Sequence, residues 1–224
     1  MPAHAQTSTA AVVAAGRRLL EERGAEALTM RDVAEAVGVR TPSLYKRVRG
    51  RADLFRLILE DVADELSSVA DAAAVSGDPA TDLRALLTGY RAFAHANPAA
   101  YALTYTPRQP DGGATARSER SSAVLLRVVA ELAGPEQLLP AARTVVAWAN
   151  GFITMELAGA FRLGGDVERA WDFGLERLLD AVRPVPDSGP GSASGPGPAS
   201  SPGPGTGRRR NGTGPRSGAG GPED

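Results

Sequence analysis

The sequence predicts an all-α fold: an N-terminal three-helix, helix-turn-helix domain joined by a long helix to a C-terminal helical bundle, about nine helices in all. Three observations carry that expectation. Apolar side chains return every three or four residues along most of the chain, with glycine, proline and capping residues between the runs. Residues 29–51 read as two short helices around a glycine turn, followed by positive charge. Residues 51–74 then carry one apolar stripe with acids between its members, long enough to run from that head deep into the next domain.

Taken in order, residues 1–8 form an Ala/Thr/Ser-rich leader without Arg or Lys, expected to be disordered. Residues 9–23 are the first helix, with Val12, Val13, Leu19 and Leu20 apolar and Gly24 ending it. Thr29 is placed to cap the second helix, and Asp32 completes a capping box. Met30, Val33, Ala34 and Val37 make its apolar face. Gly38 stops it, because glycine enters the left-handed turn without steric cost. Thr41 is the cap candidate of the third helix, with Pro42 at its first position, where a missing N–H does no harm. Leu44 and Val48 turn inward there, leaving Ser43, Tyr45, Lys46 and Arg47 outward.

The fourth helix, 51–74, places Leu54, Phe55, Ile58, Leu59, Val62, Leu66, Val69 and Ala73 at helical spacing. Asp78 and Pro79 start the next, 79–96, which carries Leu83, Leu86, Leu87, Tyr90 and Phe93. Asn97-Pro98 interrupts it, and a short helix with Tyr101, Leu103 and Tyr105 follows. Residues 106–114 are a loop by composition, and 115–133 resume a helix. Gly134-Pro135 separates it from a long apolar helix at 136–162. The last helix, about 167–183, turns Trp171, Leu175, Leu178, Leu179 and Val182 to the core. From Ser188 onward 25 of 37 residues are Gly, Pro or Ser, too little apolar surface to offset ordering entropy. The expected organisation is a leader (1–8), a helix-turn-helix domain (9–50), a sensing and pairing domain (51–185) and a disordered tail (186–224).

Charge is distributed unevenly. Residues 1–51 hold nine cations and five acids, whereas 52–187 hold twelve cations and nineteen acids. A head of net +4 on a body of net −7 suits a molecule that offers one end to a polyanion. The whole-chain value of −1 conceals this. From Arg40 to Arg51 there are five cations (Arg40, Lys46, Arg47, Arg49, Arg51) and no acid, as a surface laid on phosphates requires. A solvated helical hairpin with a chance basic run shares the same spacing, so pattern alone leaves both readings open. Arg208-Arg209-Arg210 in the tail reads as a random charged patch.

No cysteine is present, which excludes disulfides, thiolate metal sites and cysteine nucleophiles. No uncharged apolar run approaches a membrane span, no secretory signal is visible, and a cytoplasmic setting is expected. His95 has only His4 for company, so no metal site or cofactor is expected.

Gly24, Leu28-Thr29-Met30, Val33-Ala34, Gly38-Val39, Ser43-Leu44-Tyr45 and Asp53-Leu54 together resemble the tetracycline-repressor (TetR) family over residues 9–59. Arg47 stands where the family often has His or Tyr, Val48 where it has Phe, and Arg51 where it has Lys. The Trp148–Phe152 segment, continuing through Glu156–Phe161, is similar to the Trp-His-Gly type of C-terminal domain, with Asn150 in place of the histidine. Phe93, Asn97-Pro98 and Tyr101 fit that subfamily as well.

The resemblance implies a ligand-responsive repressor that binds a palindromic operator in double-stranded DNA as a homodimer, without catalytic activity. Thr41, Pro42, Ser43, Tyr45 and Lys46 then face the groove, and Thr29, Arg40, Arg47, Arg49 and Arg51 clamp phosphates. An unidentified, largely apolar effector would meet Tyr90, Phe93, Tyr101, Tyr105, Trp148 and Phe152, with His95, Asn97 and Asn150 as further polar groups. The last two helices would pair between subunits, through Gly151, Ala158 and Gly159 for close approach and Met155 and Trp171 for apolar contact. Two other classes stay in view: a helical-bundle enzyme and a non-regulatory interaction protein. Carboxylate pairs such as Asp61 with Glu65 exist for the former, but they lack histidine companions and a Glu-x-x-His motif.

Overall fold

A computed structural model describes residues 8–105 and 112–183. Among the described residues there are nine α-helices and no strand. They are α1 (Thr9–Ala27), α2 (Met30–Ala36), α3 (Thr41–Leu44), α4 (Arg51–Ala73), α5 (Pro79–Ala96), α6 (Pro98–Thr104), α7 (Gly112–Ala133), α8 (Leu138–Leu157) and α9 (Val167–Val182), with a 3₁₀ turn at Pro135–Gln137 before α8. The leader before Ser8, the loop residues 106–111 and the tail with its arginine triplet lie outside the described residues.

Most boundaries sit where capping chemistry puts them. Thr29 and Asp32 form the capping box, Thr29 Oγ1 accepting the Asp32 N–H at 3.2 Å. Asp78 caps α5 through the Thr81 N–H, and Asp166 caps α9 through Glu168 and Arg169. Gly38, at φ 72°, ends α2 as expected. There the Val39 N–H reaches the Ala34 carbonyl and the Gly38 N–H reaches that of Glu35.

Several boundaries differ from the sequence expectation, and α3 ends at Leu44, so that Tyr45, Lys46, Arg47 and Val48 stand in the turn after it rather than in the helix. Ser8, assigned to the leader, caps α1 by accepting the Ala11 N–H at 3.1 Å. The chain kinks at Gly24 but resumes helical form to Ala27. Arg40, not Thr41, is the N-cap of α3, because Thr41 is already helical and Pro42 stands at its second position. Residues 112–114 belong to α7 rather than to the loop. α8 stops at Leu157 instead of 162, because Gly159 takes φ 61° and Ala160 donates back to the Met155 carbonyl at 2.8 Å.

Burial organises two apolar clusters. One joins Val12, Leu20, Leu28, Val33, Leu44 and Val48 of the first three helices and the turns after them to Leu54, Ile58 and Val62 of α4. It is closed from the far side by Phe93, Ala100 and Leu103 of α5 and α6. The other gathers Leu83, Leu87, Val128, Val129, Val145, Ile153, Trp171, Leu175 and Leu179. α4 packs along α1, α5, α6 and α7 in turn and, with α5 and α6, contributes to both clusters.

α8 and α9 meet at a position where size decides the fit. A methyl group added at Gly174 would lie 2.5 Å from the Trp148 ring. Trp148 is itself stacked at 4.8 Å on Trp171, so the ring has little freedom to retreat. Gly174→Ala should therefore lower stability by about 1–2 kcal/mol, overpacking outweighing the roughly 1 kcal/mol that alanine brings to a helix. Thermal unfolding followed by circular dichroism measures it, and a raised midpoint would contradict the packing argument.

Candidate nucleic-acid interface and bundle cavity

The outer surface of the head is built from α3 and the turn after it. Leu44 and Val48 are fully buried, and they hold the segment down while Tyr45 stays 50% exposed. Pro42, Ser43, Lys46, Arg47 and Arg49 are exposed beside it, with Arg40 on the approach and Thr41 half-buried. After Leu44 the backbone tightens, with Lys46 N–H on the Ser43 carbonyl and Arg47 N–H on that of Leu44. Tyr45, Lys46, Arg47 and Arg49 line one hollow with Asp53 and Arg56. The acid there is already engaged. Asp53 accepts the Arg49 backbone N–H at 2.9 Å and pairs with Arg56, which holds its carboxyl below the usual carboxylate range. Among the described residues no carboxylate forms an ion pair with Arg40, Lys46 or Arg47, so their charge faces outward.

Two residues expected at phosphates are occupied inside the head. Arg51 donates to the carbonyls of Ala25 and Leu28 and stacks on Phe55, its guanidinium carbon 4.4 Å from the ring centre. It fastens the start of α4 to the end of α1. Thr29 directs both its hydroxyl and its backbone N–H to Asp32, so its donors serve the cap.

Behind the head, α4, α5, α7 and α8 enclose a cavity of about 390 Å³. Its wall is aliphatic: Leu59, Val62, Leu66, Val69, Leu86 and Leu125 are among its lining. Its polar pole is Tyr90, Tyr105 and Asn150. The hydroxyls of Tyr90, Tyr101 and Tyr105 all reach Asn150 Oδ1, at 2.9, 3.0 and 2.6 Å, and those of Tyr90 and Tyr105 stand 2.5 Å apart. Burial raises the Tyr90 and Tyr101 hydroxyls above the ordinary phenol value, so both remain protonated donors.

The structure thus brings together three of the six aromatics expected at a ligand, and separates the rest. Tyr90 and Tyr105 face the cavity, and Tyr101 stands behind them, buried. Phe93 points the other way, into the core of the head, beneath the Arg17 guanidinium. Trp148 and Phe152 pack on Trp171, at 4.8 and 5.2 Å between ring centres, and Phe152 also meets Phe161. The period of a helix does not say which of two buried faces borders space, and these three border protein. His95 is also elsewhere: its Nε2 lies 2.9 Å from Glu156. The aliphatic wall was missed as a site because its spacing is that of any core; the interspersed Ala63, Ala70 and Ala149 were the only signal of room.

The residues expected at a subunit contact also divide. Gly151 and Ala158 are exposed and Met155 is 47% exposed, one face of α8. Trp171 is 1% exposed and belongs to the chain's own core. Gly159 is committed to ending α8. Phe173, unremarked in the sequence, is 67% exposed on α9, since two residues along a helix turn the side chain to the opposite side.

One ion-pair group secures this end of the bundle. Arg91 grips Glu156 through two hydrogen bonds, at 2.9 and 2.6 Å, meets Glu168 at 2.8 Å and lies over the Trp171 ring. The bonds from Arg91 hold the Glu156 carboxyl below its ordinary value of 4.5. A carboxylate depressed in the folded state stabilises fully above its unfolded value and loses that contribution as pH falls through the folded one. Glu156→Gln should cost about 1–2 kcal/mol near neutrality and flatten the fall of the unfolding midpoint below about pH 5. A variant whose acid profile overlays that of the parent would contradict this.

Comparisons with known proteins come from three directions. The sequence model described as "Bacterial regulatory proteins, tetR family" matches residues 12–58, and "Tetracyclin repressor-like, C-terminal domain" matches residues 83–178. The HTH-type transcriptional regulator Rv1816 of Mycobacterium tuberculosis (strain ATCC 25618 / H37Rv) is 33% identical over 123 residues, 54% of this chain and 52% of the relative. The chain therefore spans about half the length of the curated relatives it matches first. A structure of a protein of unknown function from Rhodococcus sp. RHA1 superposes with a TM-score of 0.71 at 21% identity, over 82% of this chain and 100% of that one. The transcriptional regulator SCO7222, a TetR from Streptomyces coelicolor, gives 0.64 at 20% identity, over 78% and 97%.

Proposed function

The chain belongs to the tetracycline-repressor (TetR) family of bacterial regulatory proteins, and from that premise we propose that it is a DNA-binding transcriptional regulator, a ligand-responsive repressor rather than an enzyme, that grips a palindromic operator as a homodimer. The observation that carries this reading is the surface of α3 and the turn after it. Leu44 and Val48 anchor it from below, while Tyr45, Lys46, Arg47 and Arg49 stand outward with no acid left to neutralise them but the already paired Asp53. Ser43, Thr41, Tyr45 and Lys46 reach into the major groove with Pro42 at the edge, and Arg40, Arg47 and Arg49 hold phosphates.

Two copies meet through the exposed face of α8 at Gly151, Met155 and Ala158, joined by Phe173 of α9. Pairing sets the heads one helical turn apart on DNA, about 34–36 Å between half-sites. A small molecule in the cavity acts on α4, because Leu59, Val62, Leu66 and Val69 are at once its wall and part of the helix that carries the head. It shifts the balance only by its difference in affinity for the two arrangements of that helix. Among the described residues no helix is long and apolar enough to cross a membrane; the protein works in the cytoplasm, where the DNA is.

Tyr45→Ala and Lys46→Ala should each weaken operator binding by about 1–3 kcal/mol in a gel-shift titration, with the dimer unchanged by sedimentation. Lys46→Ala should also reduce the slope of affinity against salt by about one if it meets a phosphate. Operator affinity equal to that of the parent in both variants would reject the assignment. A fragment recovered by genomic pull-down supplies the operator.

A further inference from the structure

We propose that the cavity selects an uncharged, largely apolar molecule whose polar end is a hydrogen-bond acceptor, of the ketone, ester or lactone type, received by the hydroxyls of Tyr90 and Tyr105 and the amide of Asn150. This rests on the reading of the cavity as the effector site and deepens it. Three observations converge on that class.

The first is the character of the lining among the described residues. Its members there are aliphatic residues with Thr104, Ser122, Tyr90, Tyr105 and Asn150, and among these described residues there is neither an acid nor a base. An ion brought there loses its water and gains no counter-charge, a cost that neutral molecules escape. Two arginines of the neighbouring helices are engaged in ion pairs. Arg91 is held by Glu156 and Glu168, and Arg17 by Asp61 and Glu65.

The second is an excess of donors at the polar pole. An amide oxygen has two lone pairs, yet three phenol hydroxyls are aimed at Asn150 Oδ1. The Tyr90 and Tyr105 hydroxyls relieve the crowding by sharing a bond with each other at 2.5 Å. The Asn150 amide adds two N–H donors of its own. The Thr104 hydroxyl cannot redress the balance as a donor, since it is turned to the Tyr101 carbonyl at 2.6 Å. A ligand carbonyl placed beside Tyr105 accepts one of these surplus hydrogens and takes the third phenol off Asn150. A ligand that offers only donors finds Asn150 Oδ1 already taken by the phenols.

The third is the division between a fixed and an adjustable part. Tyr101 is buried, does not line the cavity, and stacks edge-on with both Tyr90 and Tyr105 at 5.8 and 5.4 Å. It is a positioning residue that keeps Asn150 turned. Tyr105 is 53% exposed at the end of α6, where its hydroxyl can exchange Asn150 for an incoming acceptor.

Four probes of one shape test the class: acetylnaphthalene, ethylnaphthalene, naphthoate and naphthylmethylammonium, each substituted at the same ring carbon and titrated calorimetrically into the full-length chain. Acetylnaphthalene should bind about tenfold more tightly than ethylnaphthalene, one good hydrogen bond's worth, with neither ion giving measurable heat. Tyr105→Phe should bring the ketone down to the hydrocarbon's affinity and leave the hydrocarbon where it was. Leu66→Trp, which fills the cavity, should abolish binding of both, its helix content checked by circular dichroism.

Tightest binding of naphthoate or of the ammonium probe, or an unchanged ketone preference in Tyr105→Phe, overturns the class while Leu66→Trp still marks the cavity as the site. Equal binding of all probes to parent and Leu66→Trp, or no binding to either, overturns the site itself.

Discussion

Leu54, Ile58 and Val62 fill the core of the head from one stripe of α4, and two turns further along the same helix Leu66, Val69 and Ala70 wall the cavity. A stripe of apolar residues at helical spacing is the most ordinary feature a sequence can carry. Its consequence here is a constraint: because interiors are close-packed, a rigid helix shared by two cores cannot shift in one without being felt in the other. Leu59 and Val62 belong to both sets, so the head core and the cavity wall are in part the same side chains.

A second link runs beside the first. Glu21 of α1 accepts the backbone N–H groups of Ala99 and Ala100, at 2.9 and 2.8 Å, which are among the unpaired donors at the start of α6. Arg17, one turn earlier on α1, binds Asn97 just before that helix and Asp61 and Glu65 on α4. Burial works against the Arg17 charge, but the hydrogen bonds to Asp61 and Glu65 more than compensate and hold it firmly protonated. α6 is thus fastened to the head at its beginning, and its other end presents Tyr101 and Tyr105 to the polar pole of the cavity. Both roles fall within this seven-residue helix and the residue that ends it.

Much of this was legible in the sequence because it is local. Caps at Thr29 and Asp78, the turn at Gly38 and the stripes of α1, α4 and α9 depend on neighbours within a few residues, and the structure places them accordingly. What was illegible depends on which of two packed faces a side chain meets. Phe93 and Tyr90 sit on one helix three residues apart, yet one closes the head and the other opens on the cavity. Trp171 and Phe173 divide in the same way between core and surface. Arg51 was read as a free charge because the carbonyls of Ala25 and Leu28 that engage it lie more than twenty residues away.

Asn150 draws these strands together. An imidazole at that position could change charge within the physiological pH range, whereas an amide cannot. With three phenol hydroxyls as its partners, Asn150 is the centre of a polar pole built from hydrogen bonds. Ion pairs gather around Arg91, with Glu156 and Glu168, and around Arg17, with Asp61 and Glu65. A body that is acidic overall, with no charged side chain among the described residues that line its cavity, suits DNA kept outside and, on the proposed reading, neutral molecules within. The two tasks do not compete, because one is carried by surface charge and the other by a largely aliphatic cavity.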